Sequence, residues 1–116
     1  MLNELIEKLR AAGVEVDDAL KFGAQTGAWY YRDRATSDVM AGAICLMHLK
    51  AWLRGRENVV SWSIYYEDTD DGLEFSCLFE HTPEGATHSA TIDGPDAATE
   101  LEALSVCVLE YLGGKQ

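Results

Sequence analysis

Four side chains in this sequence have the chemistry of metal ligands. Cys45 and His48 share a face if their segment is helical, and Cys77 and His81 point the same way if theirs is a strand. Tetrahedral zinc wants such donors converging, usually from short loops with Cys-x-x-Cys spacing. Here they interrupt apolar runs, where free cysteine belongs by default to the core. Cys45, Cys77 and Cys107 are odd in number and far apart. They predict reduced core thiols, not a disulfide framework, and neither a metal nor another cofactor is expected.

The run Glu67-Asp68-Thr69-Asp70-Asp71-Gly72 invites a calcium reading. An EF-hand loop needs glycine at its sixth position and a bidentate glutamate at its twelfth. Counting from Glu67 puts Gly72 correctly but Leu78 last; counting from Asp68 misplaces the glycine and ends on Phe79. The run therefore reads as an acidic hairpin tip. Among possible general bases, His81 and His88 flank one turn and are expected to form a solvated hairpin pair. There is no Gly-x-Ser-x-Gly elbow and no phosphate loop ending in Gly-Lys-Ser/Thr. The expectation is a protein that is not an enzyme.

Charge carries more information. Residues 1–56 hold seven acids and eight bases, whereas residues 57–116 hold thirteen acids and a single base, Lys115. Recognition of DNA, RNA or an anionic membrane needs clustered lysine and arginine, so none of these is an expected direct partner. A basic protein surface is. Glu67, Asp68, Asp70, Asp71, Glu74, Glu80 and Glu84 crowd two adjacent strands and their turns, and these seven are the candidate partner-binding residues. Spaced carboxylates can imitate a phosphate row, since duplex DNA presents one charge per roughly 1.7 Å of axis.

The elements that must position these groups follow from periodicity. Leu2, Leu5, Ile6 and Leu9 predict a first helix, stopped by Gly13. Asp17 or Asp18 is expected to cap a short helical turn through Leu20 and Phe22, and Gly27–Arg32 reads as a strand. Thr36 or Ser37 caps a second helix running to about Arg54, so apolar all round that it should pack on more than one side. Val59–Tyr66, the run from Leu73 to Glu80 and the run from Ala86 to Ile92 alternate as half-buried antiparallel strands. Val60, Trp62, Ile64 and Tyr66 share one face of the first, and Leu73, Phe75, Cys77 and Phe79 one face of the second. Gly94-Pro95-Asp96 opens the last helix, with Leu101, Leu104, Val108 and Leu112 inward and Gly113-Gly114 at its end. Ala43–Trp52 also aligns without gaps to Ala103–Leu112, a weak internal repeat.

The stretch from Trp29 through Ala51, with Ala43-Ile44-Cys45 and Leu49-Lys50-Ala51, resembles small phage proteins of the ABA-sandwich type. Those place a strand carrying a tryptophan before an alanine-rich helix. The resemblance covers about a fifth of the chain; it implies a phage or prophage accessory protein and carries no chemistry to any residue.

Together these readings predict one α+β domain over residues 1–116. Its order is α-β-α-β-β-β-α, with a mostly antiparallel four-stranded sheet and the second and third helices on one face. Met1-Leu2-Asn3-Glu4 has no basic region followed by an apolar one, and Val39 to Leu49 is far short of the ~20 residues that cross a bilayer, so the expected place is the cytoplasm of a host cell. The expected function is that of a non-enzymatic phage or mobile-element accessory protein. It would bind a basic, nucleic-acid-binding host protein through its acidic surface, in the manner of an anti-CRISPR or DNA-mimic inhibitor. The alternative is a homo-oligomeric structural or assembly module, a homodimer for instance, in which Arg32, Arg34, Arg54 and Arg56 of one chain meet acids of another.

Overall fold

The computed structural model describes residues 2–113. In chain order it holds α1 (Leu2–Ala11), β1 (Leu20–Gly23), β2 (Ala28–Tyr31), β3 (Arg34–Thr36), α2 (Asp38–Arg54), β4 (Val59–Thr69), β5 (Gly72–His81), β6 (Ala90–Asp93) and α3 (Glu100–Gly113). The class is α+β, but the strands form two separate three-stranded antiparallel sheets, β1-β2-β3 and β4-β5-β6, in place of the single four-stranded sheet expected. The chain divides into two compact units, Met1–Leu53 and Arg54–Gln116. In each, an antiparallel meander leads into a helix.

In the first unit, Ile6 and Leu9 bury one face of α1 while Glu4, Glu7 and Lys8 stay exposed. Gly13, at φ 101°, turns the chain so that Val14 donates its amide to the Leu9 carbonyl and tucks in behind the helix. The Arg10 guanidinium then donates to the carbonyls of Asp17 and Leu20 at 2.9 and 2.8 Å, tying α1 to the start of β1. The helical turn expected at Asp17 does not form. Its Oδ1 accepts the Ala19 amide at 3.0 Å, closing a short side-chain turn that releases Leu20 into a strand. That same bond, with smaller help from the charge of Arg32 and the Tyr31 hydroxyl, holds the Asp17 carboxyl below its ordinary range.

β1 pairs with β2 so that Phe22 lies opposite Trp29, their rings 5.2 Å apart. β2 turns into β3 through Arg32 and Asp33, both left-handed at φ 53° and 66°. Between them the neighbouring strands satisfy both edges of β2, so the Trp29 strand has no edge left to give a sheet formed elsewhere in the chain. Trp29 is therefore followed by β3 before the helix begins. Ser37 caps α2, its Oγ accepting the Met40 amide at 3.1 Å. The helix buries Ala41, Cys45, Leu49 and Leu53, every fourth residue, on one face. Contrary to the expectation of a helix packed on several sides, Val39, Met40, Ala43, Met47 and Ala51 are exposed.

In the second unit, β4 and β5 form a long hairpin and β6 joins the far side of β5. α3 lies on one face of this sheet, mainly over β5, and buries Leu101, Leu104, Cys107, Val108 and Tyr111 against Cys77 and Phe79. Tyr111 closes the core: its ring meets Phe79 and His81 at 5.3 and 5.0 Å, and its hydroxyl donates to Asn58 Oδ1 at 2.6 Å. The last helix starts later than Gly94-Pro95-Asp96 suggested, because the sheet uses that backbone. Phe75 and Ala97 exchange amide–carbonyl bonds, and the Gly94 amide donates to the Cys77 carbonyl. The cap is Thr99, whose Oγ1 accepts the Glu102 amide at 3.1 Å.

The two caps refine the internal repeat. Aligning Ser37 with Thr99 sets the buried residues Ala41, Cys45 and Leu49 level with the buried Ala103, Cys107 and Tyr111, two positions away from the ungapped match. No helix among the described residues is long and apolar enough to cross a membrane.

Candidate protein-binding surface

The register of β4 and β5 decides which side chains meet. Directly opposed residues in an antiparallel pair share a face. On the face that α3 leaves open stand Ser61, Ser63, Tyr65 and Glu67 of β4, opposite Glu80, Leu78, Ser76 and Glu74 of β5. β6 adds Thr91 and Asp93. On the helix side stand Trp62, Ile64, Tyr66 and Asp68, opposite Phe79, Cys77, Phe75 and Leu73. The hairpin end is closed by Asp70 and Asp71, with Thr69 Oγ1 donating to the Gly72 carbonyl at 2.7 Å and accepting the Asp71 amide at 3.3 Å. Gly72, at φ 118°, takes a conformation that the chirality of other residues disfavours.

The seven candidate acids therefore fall into two groups. Glu67, Asp68, Asp70, Asp71 and Glu74 gather at the hairpin end, with Glu67 and Glu74 directly across from one another. Glu80 lies six residues further along β5, about 20 Å at ~3.3 Å per residue, and Glu84 beyond it in the loop leading to β6. Glu80 is half-buried and held locally, its two carboxylate oxygens accepting the hydroxyls of Ser61 and Ser89. At the hairpin end all but Glu74 are exposed. From Glu57 to Gly113 there is no lysine or arginine, so the β4–β6 sheet and α3 contain no strong cation of their own to answer these charges.

Alternation placed Val60, Tyr66 and Leu73 inward, yet they are 54%, 73% and 48% exposed. Val60 falls at the register shift between Val59 and Ser61; for Tyr66 and Leu73 the reason is dimensional. α3, fourteen residues long, runs about 21 Å and is about 10 Å wide, enough for two strands, whereas the eleven residues of β4 run about 36 Å. The outer strand and the hairpin end are left bare. Tyr65 and Leu78 on the open face, and Tyr66 and Leu73 on the helix side, join the carboxylates as surface groups that the charge pattern alone had missed; for the latter two, only the length of the alternating run beside a shorter helix could have signalled exposure.

The other sequence candidates do not assemble. Cys45 is fully buried in α2, and His48 Nδ1 accepts the Asp17 amide at 3.4 Å. Cys77 is buried beneath α3, where the Cys107 thiol donates to its carbonyl at 3.5 Å. Burial pushes the Cys45 thiol up to about 11, and the neighbouring Cys107 thiol together with burial pushes Cys77 up as well, so neither is a ready thiolate. Among the described residues no three His, Cys, Asp or Glu side chains are placed to hold a metal ion. His81 and His88 do not face each other: His81 lies opposite Ala90 with its ring against Tyr111, and His88 is exposed in the preceding loop. No family model, curated protein or solved structure matches the chain.

Proposed function

We propose that this protein is a non-enzymatic binding module that engages a basic protein surface, of the kind nucleic-acid-binding proteins present, through the β4–β5 hairpin end. The observation that carries the reading is the directly opposed pair Glu67 and Glu74, flanked by Asp68, Asp70 and Asp71 and by the exposed rings of Tyr65 and Tyr66. Like charges opposite each other weaken a sheet by up to ~1 kcal/mol, so the arrangement costs the free protein stability that a cationic partner returns. Exposed tyrosine is enriched at protein interfaces, and a surface that only needs to stay dispersed has no use for it. Carboxylates on neighbouring strands stand ~5 Å apart, a dense local field of negative charge that makes competition with nucleic acid the expected mode.

The test reads stability and binding together. Glu67→Lys, which places opposite charges across the strands, is expected to raise the unfolding free energy by about 0.5 to 1 kcal/mol. The same change should weaken binding to a panel of purified DNA-binding domains at low salt, and duplex DNA should compete with the unaltered protein. A panel that shows no association at 50 mM salt, or binding indifferent to Asp70→Lys, Asp71→Lys and Glu74→Lys together, refutes the reading.

A second reading, self-association, is favoured by α2. Met40, Ala43, Met47 and Ala51 form an exposed apolar stripe opposite the buried face of that helix, with Asp38 in its first turn and Arg54 in its last. Two copies of α2 packed antiparallel across a two-fold axis would cover both stripes and bring each Asp38 end to the other's Arg54 end.

A further inference from the structure

β4 is the outer strand of its sheet, and among the described residues its free edge has no strand partner. Natural edges are blunted by lysine, proline, shortness or a bulge. β4 is eleven residues long, contains no lysine, proline or glycine, and its single irregularity lies at its start, between Val59 and Ser61. From Ser61 to Tyr66 it offers uninterrupted backbone donors and acceptors, with side chains that favour strands. Beside that edge, on the helix side, Trp62 and Ile64 are only half-buried and Tyr66 is open. Beyond it stand Glu67, Asp68, Asp70, Asp71 and Glu74.

We infer that the β4 edge takes up an extended segment of the partner as a fourth strand of the β4–β6 sheet. This rests on the reading of the hairpin end as a docking site for basic groups, and it names the form that partner takes. The occupant has apolar residues at every second position, which lie along Trp62, Ile64 and Tyr66, and lysine or arginine clustered at the end that passes Glu67 and Asp68. Backbone bonds supply affinity, alternate side chains select the segment, and the carboxylates set its direction. A second copy of β4 is the poorer occupant. It is equally rich in β-forming residues but contains no lysine or arginine to meet Glu67 and Asp68.

The probe is a synthetic peptide of eight alternating valines and threonines followed by three lysines, binding being read by tryptophan fluorescence and by amide hydrogen exchange. Binding with protection of β4 amides in the Ser61–Tyr66 run is the expected result. Methylating the peptide backbone one nitrogen at a time should weaken binding about tenfold at alternate positions and little between them, since only every second amide faces β4. Methylation tolerated everywhere, with binding still lost on Glu67→Gln, Asp68→Asn and Glu74→Gln together, overturns strand addition and leaves the acidic docking reading standing. No binding at 50 mM salt overturns both. Protection of β4 that grows with concentration in the peptide-free protein assigns the edge to a second copy and likewise overturns the inference.

Discussion

Gly94 shows how little room the α3 core leaves. A Cβ at this position would stand 2.8 Å from the Cys107 sulfur, a distance at which something must move, while the Gly94 amide is held by the Cys77 carbonyl. Gly94→Ala is expected to cost about 1 to 3 kcal/mol, measured by chemical unfolding. In a Cys107→Ala background, where the obstructing sulfur is gone, most of that added penalty should vanish; a penalty unchanged by the second substitution would move the cause to the backbone. The sequence marks Gly94 only as a glycine before a proline, a turn signal, and its contact with a residue thirteen positions later lies outside any local pattern. Ser37, by contrast, was legible as a cap because the preference for a short hydroxyl before an apolar helix is local chemistry.

At the scale of elements, legibility follows length. α1, α2, β4 and β5 were readable because each repeats its period several times; the strand expected from Ala86 to Ile92 is only β6, Ala90–Asp93, since residues 86–89 belong to the loop before it. β1 and β3 have four and three residues, too few for alternation to stand out, and the turn between β2 and β3 uses Arg32-Asp33 where Asn-Gly would have announced it. Those two missed strands are the reason one sheet was expected instead of two. The candidate acids were legible as a set but not as two groups, since only the pairing register tells that Glu67 meets Glu74 while Glu80 bonds to Ser61 and Ser89. The exposed stripe on α2 supports its own prediction. If two copies meet there, Met47→Glu should convert a dimer to a monomer in light scattering at high concentration, with little change in helix content because Met47 is 57% exposed. A protein that is monomeric before the substitution removes the self-association reading.

Considered whole, the molecule separates charge along its division into units. Met1–Leu53 contains seven acids and six bases, Arg54–Gln116 thirteen acids and three bases. Composition revealed that asymmetry, but not that its boundary falls where α2 gives way to the second meander. The same distribution governs how the chain can be cut. Trypsin cleaves after lysine and arginine, and between Glu57 and Gly113 it finds neither. Digestion, even to completion, should therefore trim the first unit to short peptides and release Glu57–Lys115 in one piece, visible as a single mass. That fragment holds Phe79, Leu104, Val108 and Tyr111, the centre of the second core, and is expected to unfold cooperatively despite its small size. A fragment without a transition would mean that this half of the chain borrows its order from the other. The lack of lysine and arginine that leaves the carboxylates unanswered is thus also a built-in resistance to one class of protease.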